Sequence, residues 1–337
     1  MSALKYGIIK TAFELLSISG LARIIRKFSS CRGIIFTLHR VLPDEVAAFQ
    51  PNAILQITPS FLEEVIKKIR KSGFDIITLD EAIERLKSDK KQNPFIVLTF
   101  DDAYKDNLTY ALPILKKHNC PFTLYVPTGF VDGKGELWWQ VLEDIIANNK
   151  TINFDGNEYL TNSRLNKQKT FETIYWDMRS MDEVMRVEKT KIFAAQYKID
   201  MFEHCQSLVM DWQELEIFAK EPLCTIAAHT VNHYELAKLS PNELEWEMKK
   251  SADVLEEKFK IRPKHFSYPI GAIRSASTRE YEKAKVLGFS SGVTTLPGGL
   301  YSKHAKSLHN LPRVSLNGYF QKNRYLEVFL TGSIFGR

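Results

Sequence analysis

The sequence has no cysteine-rich segment, no low-complexity tract, no internal repeat and no linker rich in Gly, Ser or Pro. Its four cysteines are scattered and form no CxxC pair, which argues against a disulfide-stapled module and indicates reduced thiols in a cytosolic protein. No segment approaches the roughly 20 consecutive apolar residues that a membrane-spanning helix requires. The N-terminal region also lacks the uninterrupted apolar core and cleavage site of a secretory signal. We therefore expect a cytoplasmic globular protein.

Positive charge is present but is not spread over the chain. The formal net charge is +6, and residues 1–32 and 301–337 each hold six basic side chains against one acidic side chain. The residues between these two ends are mildly acidic as a group. A nucleic-acid-binding protein usually has a broad basic face, so we expect no nucleic-acid partner.

The basic N-terminal end also has apolar residues at helical spacing through residues 4–28, with cations on the other side. Such a helix either packs on its own domain or lies in a membrane interface, where basic residues add attraction to anionic lipid. The C-terminal end mixes cations with four aromatic residues, namely Phe320, Tyr325, Phe329 and Phe335. The pattern leaves both alternatives open, and peripheral contact with the inner face of the membrane is the hypothesis to test.

Between the two ends, apolar β-prone segments alternate with helical patterns. Eight segments are predicted to be strands: residues 33–39, 75–78, 95–100, 121–126, 223–228, 265–268, 289–295 and 311–316. Strands that alternate with helices indicate an α/β fold with a parallel sheet. Eight such units predict a distorted or incomplete (β/α) barrel of about seven or eight strands.

The interval of about 130–222 interrupts this alternation. It has helical periodicity at 137–146, 171–197 and 212–219, and one hairpin-like segment, TINFDGNEYL. Because the strand series resumes afterwards, we interpret the interval as an insertion on one βα loop. The predicted organisation is an amphipathic helical segment at 1–32, followed by a barrel at 33–337 that contains the insertion.

Chemically reactive side chains follow several predicted strands. Asp101 and Asp102 come directly after FIVLTF, His39 ends the first strand, and His229 and His233 follow LCTIAA in the sequence HTVNH. Adjacent aspartates alone are typical of a turn. In parallel α/β sheets, however, the carboxyl ends of the strands meet at one edge and form the active site. A turn does not explain histidines at equivalent places, so we expect these side chains to converge.

Two imidazoles four residues apart and one carboxylate form the donor set of an open catalytic site for Zn²⁺ or a similar divalent ion. Such an ion activates water and polarises a carbonyl group. A second carboxylate beside the ion can accept the proton of the water without occupying the ion. The two members of the Asp101–Asp102 pair are therefore expected to have different tasks.

These motifs resemble a known family. TFDD, then HTVNH, then YPIG, in this order and each after a strand, are similar to the motifs of the NodB-type polysaccharide deacetylases over about residues 33–316. The resemblance implies that Asp101 is the general base. It also implies a three-residue metal site, formed by Asp102, His229 and His233.

The segment LHRV (38–41) resembles an element of the family branch that includes the biofilm poly-N-acetylglucosamine deacetylases, which implies that His39 is the general acid. Should His39 not have this role, His265 and His309 are the next candidates. The resemblance further implies an oxyanion contact from the backbone N–H of Ile270. The arginine that orients the base in the family is absent from its usual element, and Arg313 is the candidate replacement, with a structural ion pair as the alternative.

One further departure concerns the loop after TFDD. Ala103 replaces the glycine that usually follows TFDD. Tyr104 and Tyr268 are predicted to contact substrate, and the adjacent Trp138 and Trp139 belong either to a wall for a sugar ring or to the core.

The resemblance implies metal-dependent hydrolysis of an N-acetyl group on a sugar of a cell-surface polysaccharide, a lipopolysaccharide or a lipid-linked glycan precursor, with release of acetate. Zn is the expected metal, and Co, Ni and Fe are alternatives. The residues alone leave two other interpretations open: a catalytically inactive carbohydrate-binding protein, and a hydrolase of a non-sugar amide.

Overall fold

A computed structural model describes residues 3–43 and 49–332 of the chain. Its centre is a parallel β-sheet with helices on the outside. The strands in the described residues are β1 (Gly33–Leu38), β2 (Arg40–Val41), β3 (Gln56–Ile57), β4 (Asp75–Ile76), β5 (Phe95–Phe100), β6 (Phe122–Val126), β7 (Thr151–Phe154), β8 (Asn157–Leu160), β9 (Cys224–Ala228), β10 (His265–Ser267), β11 (Ser291–Val293) and β12 (Val314–Ser315).

The main sheet curls into an incomplete barrel. Seven strands lie in the order β11-β10-β9-β6-β5-β1-β12, all parallel, and β4 pairs with the first residues of β5. The chain before β12 nearly closes the circle, because Leu311 forms a single parallel bridge with Val293 of β11 while Val314 pairs with Phe36 of β1. The predicted incomplete (β/α) barrel is confirmed, and each predicted strand is present, several of them shortened at their ends.

The central strands β1 and β5 are buried at all six positions. Their sequences, GIIFTL and FIVLTF, are continuous apolar runs rich in β-branched and aromatic residues, which suit a strand covered on both faces. Thr99 has a polar side chain here, and its hydroxyl donates to the carbonyl oxygen of Phe36 at 2.8 Å. These two strands end side by side, so the residues that follow them meet at one edge of the sheet.

The outer layer of the barrel is helical. The helices of the described residues are α1 (Ala3–Ile18), α2 (Leu21–Phe28), α3 (Pro59–Lys71), α4 (Leu79–Lys87), α5 (Leu112–Lys117), α6 (Thr128–Val131), α7 (Trp138–Asn148), α8 (Arg164–Ser180), α9 (Glu183–Gln196), α10 (Met201–Leu208), α11 (Trp212–Ala219), α12 (Pro241–Phe259), α13 (Thr278–Val286) and α14 (Asn323–Phe329). Side chains that accept backbone N–H groups begin several of them. For example, Thr58 caps α3, and Ser240 forms a capping box with Glu243 at the start of α12.

The interval between β6 and β9 contains helices α6 to α11 and the antiparallel hairpin β7–β8. The hairpin occupies the predicted segment TINFDGNEYL. The single helical pattern predicted at 171–197 is instead two helices, because α8 ends at Ser180 and the Asp182 side chain accepts the N–H of Met185 at 2.8 Å to begin α9. Helix α7 packs against both α8 and α9, so the interval forms a compact helical layer.

The N-terminal pattern also corresponds to two helices. They are separated at Gly20, whose φ of 71° lies in the left-handed region that glycine adopts readily. Phe13 of α1 is buried against three rings of the C-terminal end, with centroid distances of 5.3 Å to Phe320, 5.7 Å to Tyr325 and 5.4 Å to Phe329. The aromatic residues of the C-terminal end are therefore occupied by packing, and Phe335 lies outside the described residues. Among the described residues, we find no helix with both the length and the apolar character needed to cross a bilayer.

Candidate active site

A cavity of about 650 Å³ opens at the carboxyl ends of the barrel strands. Asp101 and Asp102 follow β5, His39 follows β1, and His229 follows β9 directly. These residues line the cavity together with His233 and Ile270. The structure therefore brings six of the nine predicted site residues to one place.

Asp102, His229 and His233 form a compact cluster of potential metal ligands. One ligand atom from each lies within 4.8 Å of the others. The Nε2 atoms of His229 and His233 are 3.4 and 3.3 Å from Asp102 Oδ1, and this carboxylate oxygen is buried without a hydrogen-bond partner in the described part of the chain. A buried, unpartnered carboxylate oxygen that faces two imidazoles fits a divalent cation, which satisfies all three groups at once.

The two imidazoles are oriented by different contacts. His229 Nδ1 donates to the carbonyl oxygen of Ser267 at 2.7 Å, and this bond orients the ring so that Nε2 is directed at Asp102. The ring of His233 packs against Phe130 and Trp139, at centroid distances of 5.5 and 5.3 Å. Burial lowers the pKa of His233 to about 3. His233 thus presents the neutral nitrogen that a metal ion requires, and the hydrogen bond of His229 turns its Nε2 toward the same carboxylate.

The loop between these histidines is held by a carboxylate from α12. Glu247 is buried, and its oxygens accept the backbone N–H groups of Val231 and Asn232 at 2.8 and 2.9 Å and the Asn232 side-chain amide at 2.6 Å. On the other side, the N–H of Gly129 donates to the carbonyl oxygen of Val231 at 2.8 Å. A Cβ atom at Gly129 would lie 2.8 Å from the same oxygen, so only glycine allows this approach. The sequence motif indicated the ligands but not these supports.

Asp101 is bound to Arg313. Two guanidinium nitrogens donate to its two carboxylate oxygens at 2.8 and 2.7 Å, and Ser267 Oγ donates to Oδ2 at 3.2 Å. The Arg313 side chain is fully buried, and its remaining donors reach Thr294 O at 2.8 Å and Thr99 Oγ1 at 3.2 Å. Burial alone would raise the pKa of Asp101, but the charge and hydrogen bonds of Arg313 outweigh it and lower that pKa.

His39 is half-buried, and its backbone carbonyl is held by the Asn107 side-chain amide at 2.9 Å. The two other histidines considered as proton donors lie elsewhere. His265 is fully buried with Nδ1 2.9 Å from Ser291 Oγ, and His309 Nε2 is 2.8 Å from the carbonyl oxygen of Phe289. Of these three histidines, only His39 lines the cavity within the described residues.

The loops at this edge of the sheet hold an unusual concentration of left-handed backbone. Five of the nine non-glycine residues with positive φ among the described residues are Asp102, Ala103, Thr230, His233 and Ile270, with φ between 54° and 72°. This conformation is sterically strained for non-glycine residues, and residues strained in this way cluster at functional sites. Ala103 shows that the tight loop after TFDD forms without the usual glycine.

The predicted substrate contacts of Tyr104 and Tyr268 are corrected by the structure. Both side chains are fully buried and neither lines the cavity. The Tyr104 hydroxyl accepts the indole N–H of Trp139 at 3.2 Å, and Tyr268 donates to the carbonyl oxygen of His309 at 2.8 Å. Each tyrosine therefore packs beneath the site. Trp138 and Trp139 are largely buried yet reach the cavity wall, so they belong both to the core and to the cavity lining.

One wall of the cavity was not predicted. It is a face of α8, formed by residues spaced three and four apart along the helix: Gln168, Phe171, Glu172, Tyr175, Trp176 and Arg179. The helical periodicity of this segment is visible in the sequence. Which face meets the cavity depends on how the insertion folds over the barrel, and no local motif specifies that.

Comparison with known proteins agrees with this geometry. A family model described as polysaccharide deacetylase matches residues 88–198 and 194–289. The chain belongs to the polysaccharide deacetylase family. YxkH of Bacillus subtilis (strain 168), whose name assigns it to the polysaccharide deacetylases, is 24% identical over 257 residues, or 74% of this chain. The aligned region spans 64% of the length of YxkH. The family membership predicted from the motifs is confirmed.

Solved structures of deacetylases share the fold. PplD of Streptococcus pyogenes, in complex with acetate, has 19% identity and a TM-score of 0.57 over 89% of this chain and 96% of that chain. IcaB of Ammonifex degensii has 18% identity and a TM-score of 0.55 over 88% and 97% of the two chains. The de-N-acetylase of Aggregatibacter actinomycetemcomitans has 14% identity and a TM-score of 0.54 over 88% and 99%. At these identities the likeness establishes the incomplete deacetylase barrel.

Proposed function

We propose that this polysaccharide deacetylase family member is a metal-dependent N-deacetylase, which hydrolyses the N-acetyl group of a sugar in a glycan or a lipid-linked glycan precursor. The observation that carries the proposal is that two adjacent aspartates in one cavity have different hydrogen-bond partners. Asp101 is bound by Arg313, whereas Asp102 directs an unpartnered oxygen at His229 and His233. The first suits a base, and the second suits a metal ligand.

Asp102, His229 and His233 would hold the ion. Two imidazoles and one carboxylate are a donor set that suits Zn²⁺, and Co, Ni and Fe accept the same donors. When bound, the ion supplies Lewis-acid polarisation of the amide carbonyl and lowers the pKa of water.

The other residues move the protons. Asp101, kept ionised and oriented by Arg313, takes a proton from the water that attacks the acetyl carbon. The backbone N–H of Ile270 donates to the carbonyl oxygen as that oxygen gains negative charge. His39 gives a proton to the sugar nitrogen as the C–N bond breaks, so that acetate and a free amino sugar leave. A positioned acid or base typically contributes about 10²–10⁴-fold to such a reaction.

The polar and aromatic face of α8 fits a sugar-containing substrate. Tyr175 and Trp176 offer flat apolar surfaces to the C–H faces of a sugar ring, while Gln168 and Glu172 offer hydrogen-bonding groups beside them. The cavity volume of about 650 Å³ lies in the range of pockets that take drug-sized ligands, which is more space than a single sugar ring fills. We therefore favour a substrate longer than a monosaccharide.

Acetate release from N-acetylglucosamine oligomers, with and without a chelator, tests the proposal. Turnover should disappear with the chelator and return when Zn²⁺ is added back. Asp101→Asn should keep the metal, measured by elemental analysis, and lose at least about 10²-fold in turnover. Asp102→Ala, His229→Ala and His233→Ala should each lose metal and activity together.

Asp177→Asn, which changes an exposed carboxylate on α8, is the matched control and should behave like the unmodified protein. Absence of acetate release from all N-acetylated sugars by the metal-loaded protein would favour the inactive carbohydrate-binding protein. Release from non-sugar amides alone would favour the other alternative.

A further inference from the structure

Helices α1 and α2 expose an unusual amount of apolar surface. Among the described residues, eighteen large apolar side chains are exposed, and six of them lie between residues 8 and 28. We call these six the α1–α2 apolar face: Ile8, Leu15, Ile18, Leu21, Ile24 and Phe28. Phe28, at 80%, has the largest exposed fraction of the eighteen. Soluble proteins rarely concentrate apolar side chains in this way unless the surface meets a partner.

This face is distinct from the face that holds the helices on the barrel. Phe13 and Ala22 point inward and are buried, and Phe13 packs against the rings around α14. Leu15 and Ile18, which are 66% and 75% exposed, lie on the outer side of the same helix. The α1–α2 segment is therefore amphipathic in the folded protein, with one side packed on the barrel and the other side exposed to solvent.

The charge around this face is positive. Arg23 and Lys27 of α2 are exposed and alternate in sequence with the exposed Ile24 and Phe28. The acidic side chains nearby are already paired: Glu14 contacts the amine of Lys322 at 2.9 Å and a guanidinium nitrogen of Arg324 at 2.8 Å. Glu327 contacts Arg23 at 3.1 Å and Lys68 at 2.6 Å. Each of these two carboxylates faces two cations, one of which is Arg23 itself, so the charge around the face stays positive.

We propose that the α1–α2 apolar face docks on an anionic lipid surface, with its apolar side chains in the acyl boundary and Arg23 and Lys27 at the headgroups. A second copy of the chain is a poorer occupant, because a symmetric contact over this face would bring Arg23 and Lys27 of both copies together. An anionic bilayer matches both the apolar and the charged part of the surface. The proposal concerns binding and does not depend on the deacetylase reaction.

The position of α1 gives this docking a consequence for the cavity. The Lys10 amine lies 5.8 Å from the ring centroid of Tyr319, and Tyr319 lines the cavity. Helix α1 therefore contacts a residue of the cavity wall, and the proposed docking would place lipid against a helix that touches this wall. This arrangement suits a substrate whose sugar is carried by a lipid.

Flotation with phospholipid vesicles tests the proposal on the full-length protein. The chain should float with vesicles of phosphatidylglycerol and phosphatidylcholine at low salt, and should bind vesicles of phosphatidylcholine alone much more weakly. Ile24→Ser/Phe28→Ser should weaken partitioning on the order of tenfold or more, because two apolar anchors are lost. Lys27→Gln should weaken it about fivefold. Point variants are preferable to deletion of α1, since Phe13 belongs to the core.

Ile261→Ser/Val286→Ser is the matched control, because it removes two exposed apolar side chains outside α1 and α2 and should leave flotation unchanged. Circular dichroism and thermal unfolding establish that each variant is folded. The proposal is overturned if the unmodified chain stays with the unbound protein, or if Ile24→Ser/Phe28→Ser floats as well as the control. A doubled mass in light scattering that Ile24→Ser/Phe28→Ser abolishes, without flotation, would assign the face to a second copy. Equal binding to both vesicle types would overturn the part given to Arg23 and Lys27.

Discussion

Asp101 and Asp102 are neighbours of the same residue type, and their surroundings make them chemically different. Each oxygen of Asp101 accepts a hydrogen bond from the Arg313 guanidinium, so this carboxylate is fixed and its negative charge is favoured. Asp102, with a φ of 72°, turns an oxygen without a donor toward His229 and His233. A change of backbone direction over one residue thus separates a group suited to proton transfer from a group suited to metal binding.

Arg313→Lys tests the first of these environments. Lysine keeps the charge but cannot make two parallel hydrogen bonds, so the base loses its fixed orientation. We expect the rate to fall by at least about tenfold with the metal content unchanged. The Arg313 contacts lower the pKa of Asp101, and their loss raises it. Because the base works only when ionised, the acid limb of the pH–rate profile should move to higher pH.

The control for this variant is Arg279→Lys. Arg279 contacts Glu280 and the carbonyl oxygens of Leu236 and Leu239, outside the cavity lining. Its substitution should leave the pH–rate profile in place. An unshifted acid limb in Arg313→Lys would return Arg313 to the alternative of a purely structural ion pair.

At the scale of elements, the metal-ligand loop depends on a helix that contributes no ligand. Glu247 of α12 accepts three N–H groups from Val231 and Asn232, which lie between the two histidines. Supports of this kind determine where ligands point, and their loss typically costs about 10–100-fold in metal affinity or activity. Glu247 is therefore inferred to be a positioning residue for His229 and His233.

Glu247→Gln should weaken metal retention within that range, because an amide has one accepting oxygen where the carboxylate has two. The Asn232 side-chain amide then loses its acceptor and the loop loosens. Activity should fall in parallel and should recover in excess Zn²⁺, which a defect in proton transfer would not do. Equilibrium dialysis of the metal measures the first effect directly.

Glu245→Gln lies on the same helix and is the control. Glu245 is half exposed and pairs with Lys283 away from the cavity. Its substitution should change neither metal retention nor turnover. If Glu247→Gln holds the metal as tightly as Glu245→Gln does, the loop is rigid without the carboxylate and the inference fails.

The parts of the site that could be predicted from sequence are those fixed by strand ends. Asp101 and Asp102 follow the fully buried β5, and His229 follows β9, which is buried at its last two residues. Parallel strands bring their carboxyl ends together whatever the loops do. Tyr104 was predicted wrongly because its place after the strand indicates proximity but not the direction of its side chain, which points into the core. Glu247 and the α8 face had no local signal, since Glu247 reaches the metal-ligand loop, and α8 reaches the cavity, through long-range packing. Gly20 also had no local signal. Its left-handed backbone separates α1 from α2, although the apolar spacing of the sequence continues across it.

At the scale of the whole molecule, the two ends of the described chain pack together on one side of the barrel. Glu14 of α1 accepts the Tyr325 hydroxyl at 2.7 Å, and Phe13 meets Phe329 edge to face at a centroid distance of 5.4 Å. Leu311, just before β12, forms a bridge with Val293 of β11, so the two edge strands of the sheet are connected before the C-terminal helix begins. The N-terminal helices thus combine two properties, an inner face that is part of the core and an outer face that is open.

Two substitutions of the same type separate these properties. Phe13→Ala removes a ring that is only 5% exposed, and such changes in a core typically cost about 3–5 kcal/mol in the free energy of unfolding. Phe28→Ala removes a ring that is 80% exposed, and it should change that free energy by less than about 0.5 kcal/mol. Urea unfolding followed by tryptophan fluorescence measures both.

Equal and small effects of the two substitutions would mean that α1 contributes no stability to the barrel. Equal and large effects would mean that Phe28 is covered in solution, most directly by a second copy of the chain. The expected outcome is a large loss for Phe13→Ala with vesicle binding measured on the folded fraction, and a nearly unchanged stability for Phe28→Ala with weakened binding, because one residue anchors the segment to the protein and the other anchors the protein to the lipid.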